Sequence, residues 1–138
     1  MKIAVAGVGY VGLVTDVGHD VICLDVDKGK LKMLAEGISP IYEYGLEELM
    51  LKNRERLEFT DDVTKYSEAQ VIIIGVGTPE KEDGSADLSA VFSVADSIAD
   101  NCSDEAVVAV KSTVPIGTCE SVRRRIGERR PELRFFVV

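Results

Sequence analysis

The sequence predicts an α/β domain, doubly wound around a mainly parallel six-stranded sheet with helices on both faces, and three observations carry that reading. Short apolar runs rich in Val, Ile and Ala recur at 3–6, 21–24, 71–74 and 106–110, and such runs, bounded by turn residues, read as buried strands. Between them lie stretches whose apolar residues stand three and four apart, the helical spacing. The alternation of the two patterns is the mark of βαβ units and a parallel sheet. The chain has 138 residues, 46% of them hydrophobic, which suits one soluble domain able to bury about two thirds of the surface its unfolded form exposes.

The first strand, Ile3 to Ala6, runs directly into Gly7-Val8-Gly9-Tyr10-Val11-Gly12. Each glycine in that phrase answers a physical need. Gly7 allows a tight turn out of the strand, Gly9 lets backbone approach a pyrophosphate with no Cβ in the way, and Gly12 permits close packing of helix on strand. The helix that follows would point its N-terminal amides at the phosphates. Val21 to Leu24 is the second strand, and Asp25 stands at its carboxyl end, where a carboxylate accepts hydrogen bonds from both hydroxyls of an adenine ribose. A 2′-phosphate there would meet negative charge. The combination predicts a dinucleotide site of Rossmann type that takes NAD rather than NADP.

Further along, Leu31, Leu34, Ala35 and Ile38 give one apolar helical face, with Asp27 as N-cap and Gly37 near the end. Residues 39–44 form a connection, Gly45 to Asn53 a short helix, and Leu57 to Thr60 the third strand. Asp61 to Ser67 reads as another short helix whose two leading aspartates suit a helix N-terminus. Val71 to Ile74, stopped by Gly75, is a central strand. A helix starting at Asp87 presents Leu88, Val91, Phe92, Ala95, Ile98 and Ala99 on one face; Ala106 to Val110 is the fifth strand. Thr118 is expected to cap an arginine-rich helix, and Phe135 to Val138 begins a sixth strand.

Two loops leave the carboxyl ends of the fourth and fifth strands, 76–86 and 111–117. Open α/β sheets bind ligands at that edge. Thr78 and Thr113 would therefore project hydroxyls over the same crevice as Gly9 and Asp25.

A formal charge of −8 argues against nucleic acid as a partner, since binding by counterion release needs a basic footprint. The one basic cluster, Arg123, Arg124, Arg125, Arg129 and Arg130, flanks Val122 and Ile126, so it reads as the solvated face of an amphipathic helix. Cys23, Cys102 and Cys119 lack CxxC spacing and read as inert thiols in a reducing compartment; neither they nor the single histidine, His19, at the opposite sheet edge, suggest a metal site or a nucleophile. No apolar run approaches a membrane span. The expected location is cytoplasmic, without membrane contact.

The phrases GVGYVGLVT, SPIYE with GLEEL, GVGTP, GSADLS and KSTVPIGT, in that order, resemble the N-terminal NAD-binding domain of the UDP-glucose 6-dehydrogenase family, within the wider group of nucleotide-sugar dehydrogenases. The resemblance implies an enzyme that oxidises the C6 alcohol of UDP-glucose to a carboxylate with two NAD through a cysteine-bound thioester. It implies Gly7, Gly9, Tyr10, Val11 and Gly12 at the pyrophosphate, Asp25 and Lys30 at the adenine ribose, and Thr78 and Thr113 on the nicotinamide side. Thr113 is also implied to organise the catalytic water. GDP-mannose and UDP-N-acetylmannosamine dehydrogenases, and a non-catalytic NAD sensor, remain as alternatives.

Three departures from the family follow. About five residues are missing between GLVT and Gly18-His19, which leaves the first crossover near the dozen residues such a connection needs and shortens its helix. Tyr44 replaces a proline. The substrate-binding glutamate, the helix of a homodimer interface and the catalytic cysteine, lysine and asparagine are expected beyond Val138, so the 138 residues are expected to be the cofactor domain of a longer enzyme and non-catalytic alone.

Overall fold

The computed structural model describes residues 1–7, 18–40, 44–103 and 105–138. Six strands, β1 (Lys2–Ala6), β2 (Asp20–Leu24), β3 (Leu57–Thr60), β4 (Val71–Ile74), β5 (Glu105–Val110) and β6 (Arg134–Val137), form one sheet in the order β3-β2-β1-β4-β5-β6. Every neighbouring pair is parallel, with Ala4 opposite both Ile22 and Ile72. The sheet is thus wholly parallel where a mainly parallel one was expected. Four α-helices are described, α1 (Lys28–Ala35), α2 (Leu46–Lys52), α3 (Ser89–Asn101) and α4 (Thr118–Arg129), together with two 3-10 helices, Arg54–Arg56 and Val63–Glu68, the second standing where a short helix was expected over 61–67. The shortening expected of the first crossover falls on residues 8–17, outside the described residues.

The period-two geometry of a strand sends alternate residues of β1 to opposite faces. Ala4 and Ala6, with Ile22, Leu24, Ile72, Ile74 and Val108, meet Val91, Ala95 and Ile98 of α3 and Val122 and Ile126 of α4. Ile3, Val5, Val21 and Cys23 face the other way, against Leu31 and Leu34 of α1 and Leu46 and Met50 of α2. Small alanines in β1 let the first helix pair lie close to the middle of the sheet.

Helix ends follow local chemistry. The Asp27 carboxylate accepts from the amides of Gly29 and Lys30 at 2.9 and 3.1 Å, starting α1. Gly37, at φ +82°, stops it: Gly37 N–H donates to Leu34 O at 3.0 Å and Ile38 N–H to Met33 O at 2.9 Å, the paired bonds of a left-handed glycine stop. That stop ends the apolar face early, so Ala35 and Ile38 are exposed rather than part of it. A second expectation also fails. Gly117, at φ +90°, begins α4, and Thr118 lies inside the helix, its hydroxyl donating to Pro115 O at 2.7 Å. A left-handed glycine sets the start where a hydroxyl was expected to do so.

The arginine-rich face of α4 is more specific than a solvated stripe. Arg125 forks onto Asp96 at 2.6 and 2.8 Å, and Arg129 onto Asp100 at 2.6 and 2.7 Å, both acids being on α3. These guanidinium bonds hold both carboxyls below their ordinary range. Arg130 reaches the carbonyl of Cys102 at the end of α3. Arg125, Arg129 and Arg130 thus tie the two helices together, while Arg123 pairs with Glu120 of its own helix.

Candidate functional site

The strand order reverses at the middle of the sheet, where β1 leads to β2 on one side and β4 to β5 on the other. Such a switch point opens a crevice at the carboxyl ends of the strands. Gly7 sits at its base with φ +90°, and a Cβ there would lie 2.6 Å from the carbonyl oxygen of Gly75. Its N–H donates to Leu24 O at 2.9 Å, while Gly75 N–H donates to Ala6 O at 2.8 Å. The backbones leaving β1 and β4 therefore touch, and no side chain fits between them and whatever fills the crevice.

Asp25 follows β2, half-buried, and its carboxylate accepts from the Asp27 amide at 3.0 Å. That bond aims the acid along the edge of a cleft of about 310 Å³. Ala6, Gly7 and Leu24 line it from the strand ends, joined by Val26, Val63, Tyr66 and Val76. From α3 come Ala90, Ser93, Val94 and Ser97, spaced i, i+3, i+4, i+7 on one helical face. The lining is mostly apolar, and burial raises the pKa of Tyr66, keeping its phenol neutral. A second carboxylate, Asp61, also lines the cleft and is bridged to Lys28 at 3.1 Å.

The cleft-lining residues of α3, and Val63 and Tyr66, were not anticipated from the sequence. The signal was present, since Ala90, Ser93, Val94 and Ser97 form a stripe of small residues on a helix otherwise chosen for its core face. A mostly apolar cleft with a carboxylate among its lining suits a heteroaromatic ring joined to a diol.

On the other side of the switch point the two loops meet. The Thr78 hydroxyl donates to Thr113 O at 2.9 Å, and the Ser112 hydroxyl donates to Val76 O at 2.7 Å. Thr78 was expected to offer its hydroxyl to the crevice, but its proton is committed to the neighbouring loop, leaving only lone pairs for a ligand. Thr113 is exposed at the same edge. Lys30, in the first turn of α1, is exposed and not part of the cleft lining. Gly9, Tyr10, Val11 and Gly12 lie outside the described residues.

His19 lies at the opposite sheet edge, as its position before β2 implied, and its Nδ1 has no hydrogen-bond partner among the described residues. Cys23 is fully buried, and burial first, then the Glu58 charge, raises its thiol pKa. Neither suits nucleophilic work. Among the described residues no group of His, Cys, Asp and Glu side chains could hold a metal ion, and no helix is long and apolar enough to cross a membrane.

The whole chain, residues 1–138, matches the NAD-binding domain of the UDP-glucose/GDP-mannose dehydrogenase family. The chain belongs to that family. It is 47% identical to the UDP-glucose 6-dehydrogenase of Rhizobium meliloti, covering 100% of this chain and 34% of that protein. The identity to UDP-glucose 6-dehydrogenase YwqF of Bacillus subtilis is 45%, over 96% of this chain and 32% of that one. Among solved structures, the GDP-mannose dehydrogenase of Pseudomonas aeruginosa superposes with a TM-score of 0.92 at 35% identity, over 99% of this chain and 35% of that chain. The chain spans about a third of the length of these relatives.

NAD is the cofactor of this family's domain, and the residues present fit it. The position at Gly7 where a Cβ cannot stand, the apolar slot and the carboxylate at the end of β2 are the features that an adenosine diphosphate moiety requires.

Proposed function

We propose that this chain is the single NAD-gripping domain of a longer enzyme that oxidises UDP-glucose to UDP-glucuronate. When bound, NAD supplies the hydride acceptor. The residues of the chain itself would bind and orient. Asp25 accepts hydrogen bonds from the adenine ribose, Lys30 flanks it, Gly7 through Gly12 cradle the pyrophosphate, and Thr78 and Thr113 border the nicotinamide, with Thr113 also holding a water. The carboxylate of Asp25, aimed by the Asp27 amide into an apolar slot, is the observation that carries the assignment. The Asp25 carboxylate would repel a 2′-phosphate at the ribose, which favours NAD over NADP.

UDP-glucose is preferred as substrate because the 47% and 45% identical relatives are UDP-glucose 6-dehydrogenases. The TM-score of 0.92 to a GDP-mannose dehydrogenase favours GDP-mannose as a second reading. The nucleophile, the sugar pocket and a homodimer contact would be supplied by the rest of the enzyme. We place the enzyme in the cytoplasm, without nucleic acid or membrane partners, on its three free thiols and acidic charge.

The test is NADH formation with UDP-glucose and with GDP-mannose, by the chain alone and by the full-length enzyme. The chain should bind NAD and produce no NADH, and the full-length enzyme should yield two NADH per UDP-glucose. Steady turnover by the chain alone would overturn the division of labour, and preference of the full-length enzyme for GDP-mannose would overturn the substrate.

A further inference from the structure

The pairing of β4 and β5 ends at Ile74 and Val110, and the last backbone bonds between them bring Lys111 N–H and Ser112 N–H onto Ile74 O at 2.8 and 3.0 Å. Beyond that point the two chains run on side by side as loops. Among the described residues, only two hydrogen bonds tie them there, and both come from side-chain hydroxyls. They run in opposite directions: Ser112 Oγ donates to Val76 O at 2.7 Å, and Thr78 Oγ1 donates to Thr113 O at 2.9 Å. The Ser112 hydroxyl also stands 3.3 Å from Ile74 O, continuing the line of the ladder.

We infer that Ser112 and Thr78 are a reciprocal latch whose task is to position the loop that carries Thr113 at the nicotinamide end of the cofactor site. This rests on the NAD reading above. Val76 and Val114 anchor the two loops to the core, but between these anchors Gly77 stands in open space with no atom within 4 Å of where a Cβ would be, and Thr113 and Ile116 are exposed. Backbone with a glycine at 77 and no ladder bonds would sample many arrangements. Each hydroxyl removes part of that freedom by fixing one carbonyl of the opposing loop. Ser112 is half-buried and does not line the adenosine cleft, so it acts through its neighbours, as a positioning residue.

Neither hydroxyl lines the adenosine cleft, although the Ser112 bond ends on Val76, which does, and Thr113 lies outside it, so two ligands that differ only at the nicotinamide make the latch testable. Affinities for NAD and for ADP-ribose, which lacks the nicotinamide, are measured by calorimetry on the chain and on Ser112→Ala, Thr78→Val, Ser112→Thr and Thr78→Ser. Loss of either hydroxyl should weaken NAD about three- to tenfold while ADP-ribose changes by less than about twofold. The conservative variants, which keep a hydroxyl, should recover NAD affinity. The double variant Ser112→Ala with Thr78→Val should be little worse than either single one, because the two bonds hold one unit. Equal weakening of both ligands would mean a general structural role and overturn the latch, as would unchanged NAD affinity in both single variants. If Ser112→Ala does not fold, Ser112→Cys, whose thiol is a weak donor, takes its place, because Thr78 itself borders the nicotinamide and its variants alone cannot separate latch from contact. A wild-type chain that binds ADP-ribose and NAD alike leaves no nicotinamide contact to position and overturns the latch while the adenosine assignment stands. A chain that binds neither overturns the NAD reading and the latch with it.

Discussion

The two halves of the crevice are built on opposite plans. At the end of β2 the walls are mostly apolar side chains, Leu24, Val63, Tyr66 and, from α3, Val94, around a cleft with the Asp25 carboxylate on its rim. On the β4–β5 side the walls are loop backbone tied by the hydroxyls of Thr78 and Ser112. Apolar burial is non-directional and roughly proportional to area, whereas hydrogen bonds are directional and individually modest in net effect. The first half is therefore suited to grip, and the second to aim. A cofactor whose adenosine end only anchors, and whose other end must be held at the reacting atom, makes use of both.

The largest effect should come from the point where the two halves touch. Gly7→Ala forces a side chain into φ +90° and sets a Cβ 2.6 Å from Gly75 O. The expected loss is about 2–4 kcal/mol of stability, read as a fall in Tm, with weakened binding of NAD and ADP-ribose together. A Tm unchanged from the wild type would show that β1 and β4 can part without cost.

Next in size, a bulky side chain in the slot should separate grip from aim. Ser93→Phe points an aromatic ring from α3 into the cleft and should weaken NAD and ADP-ribose equally, by about tenfold or more. This is the reverse of the selective loss expected from the loop hydroxyls. If it weakened NAD alone, the adenosine moiety would not lie against α3.

The smallest effect is a control at the far edge of the sheet. Hydrogen bonds from Lys2, then from Lys65, lower the carboxyl of Glu68 from 4.5 to about 2. A depressed acid stabilises the fold above its unfolded pKa and loses that contribution as pH falls through its folded value. The Glu68 contribution should thus be complete above about pH 4.5 and fade toward pH 2. Glu68→Gln should make the acid-induced fall of Tm shallower by a small amount and leave NAD affinity unchanged at neutral pH. A change in affinity would mean that the far edge of the sheet communicates with the crevice.

The parts of the molecule legible from sequence are those with a local cause. β3 at Leu57–Thr60 and β4 at Val71–Ile74 have the expected bounds because apolar periodicity and Gly75 act on the residues beside them. Asp27 capping α1 and the left-handed Gly37 were legible for the same reason. Thr118 misled because two cap signals stood side by side, and the glycine with φ +90° took the position that a hydroxyl could have filled. The slot residues on α3 were hidden behind the stronger signal of its core face. The bonds across the loops join residues 35 and 36 positions apart, and no local pattern reports which hydroxyl will find which carbonyl. Placement of a cleft at the carboxyl edge was readable from topology. The direction of its hydrogen bonds required the fold.

The central claim is that Asp25 holds the adenine ribose of NAD at the gripping end of the crevice. Calorimetric titration of the chain with NAD and with NADP, for the wild type and for Asp25→Ala, tests it most directly. Charged hydrogen bonds contribute about 1.5–3 kcal/mol each, so the substitution should weaken NAD by about tenfold or more. The wild type should bind NADP well below NAD, and the variant should narrow that gap. Equal affinity of the wild type for the two cofactors, or an unchanged NAD affinity in Asp25→Ala, would contradict the assignment.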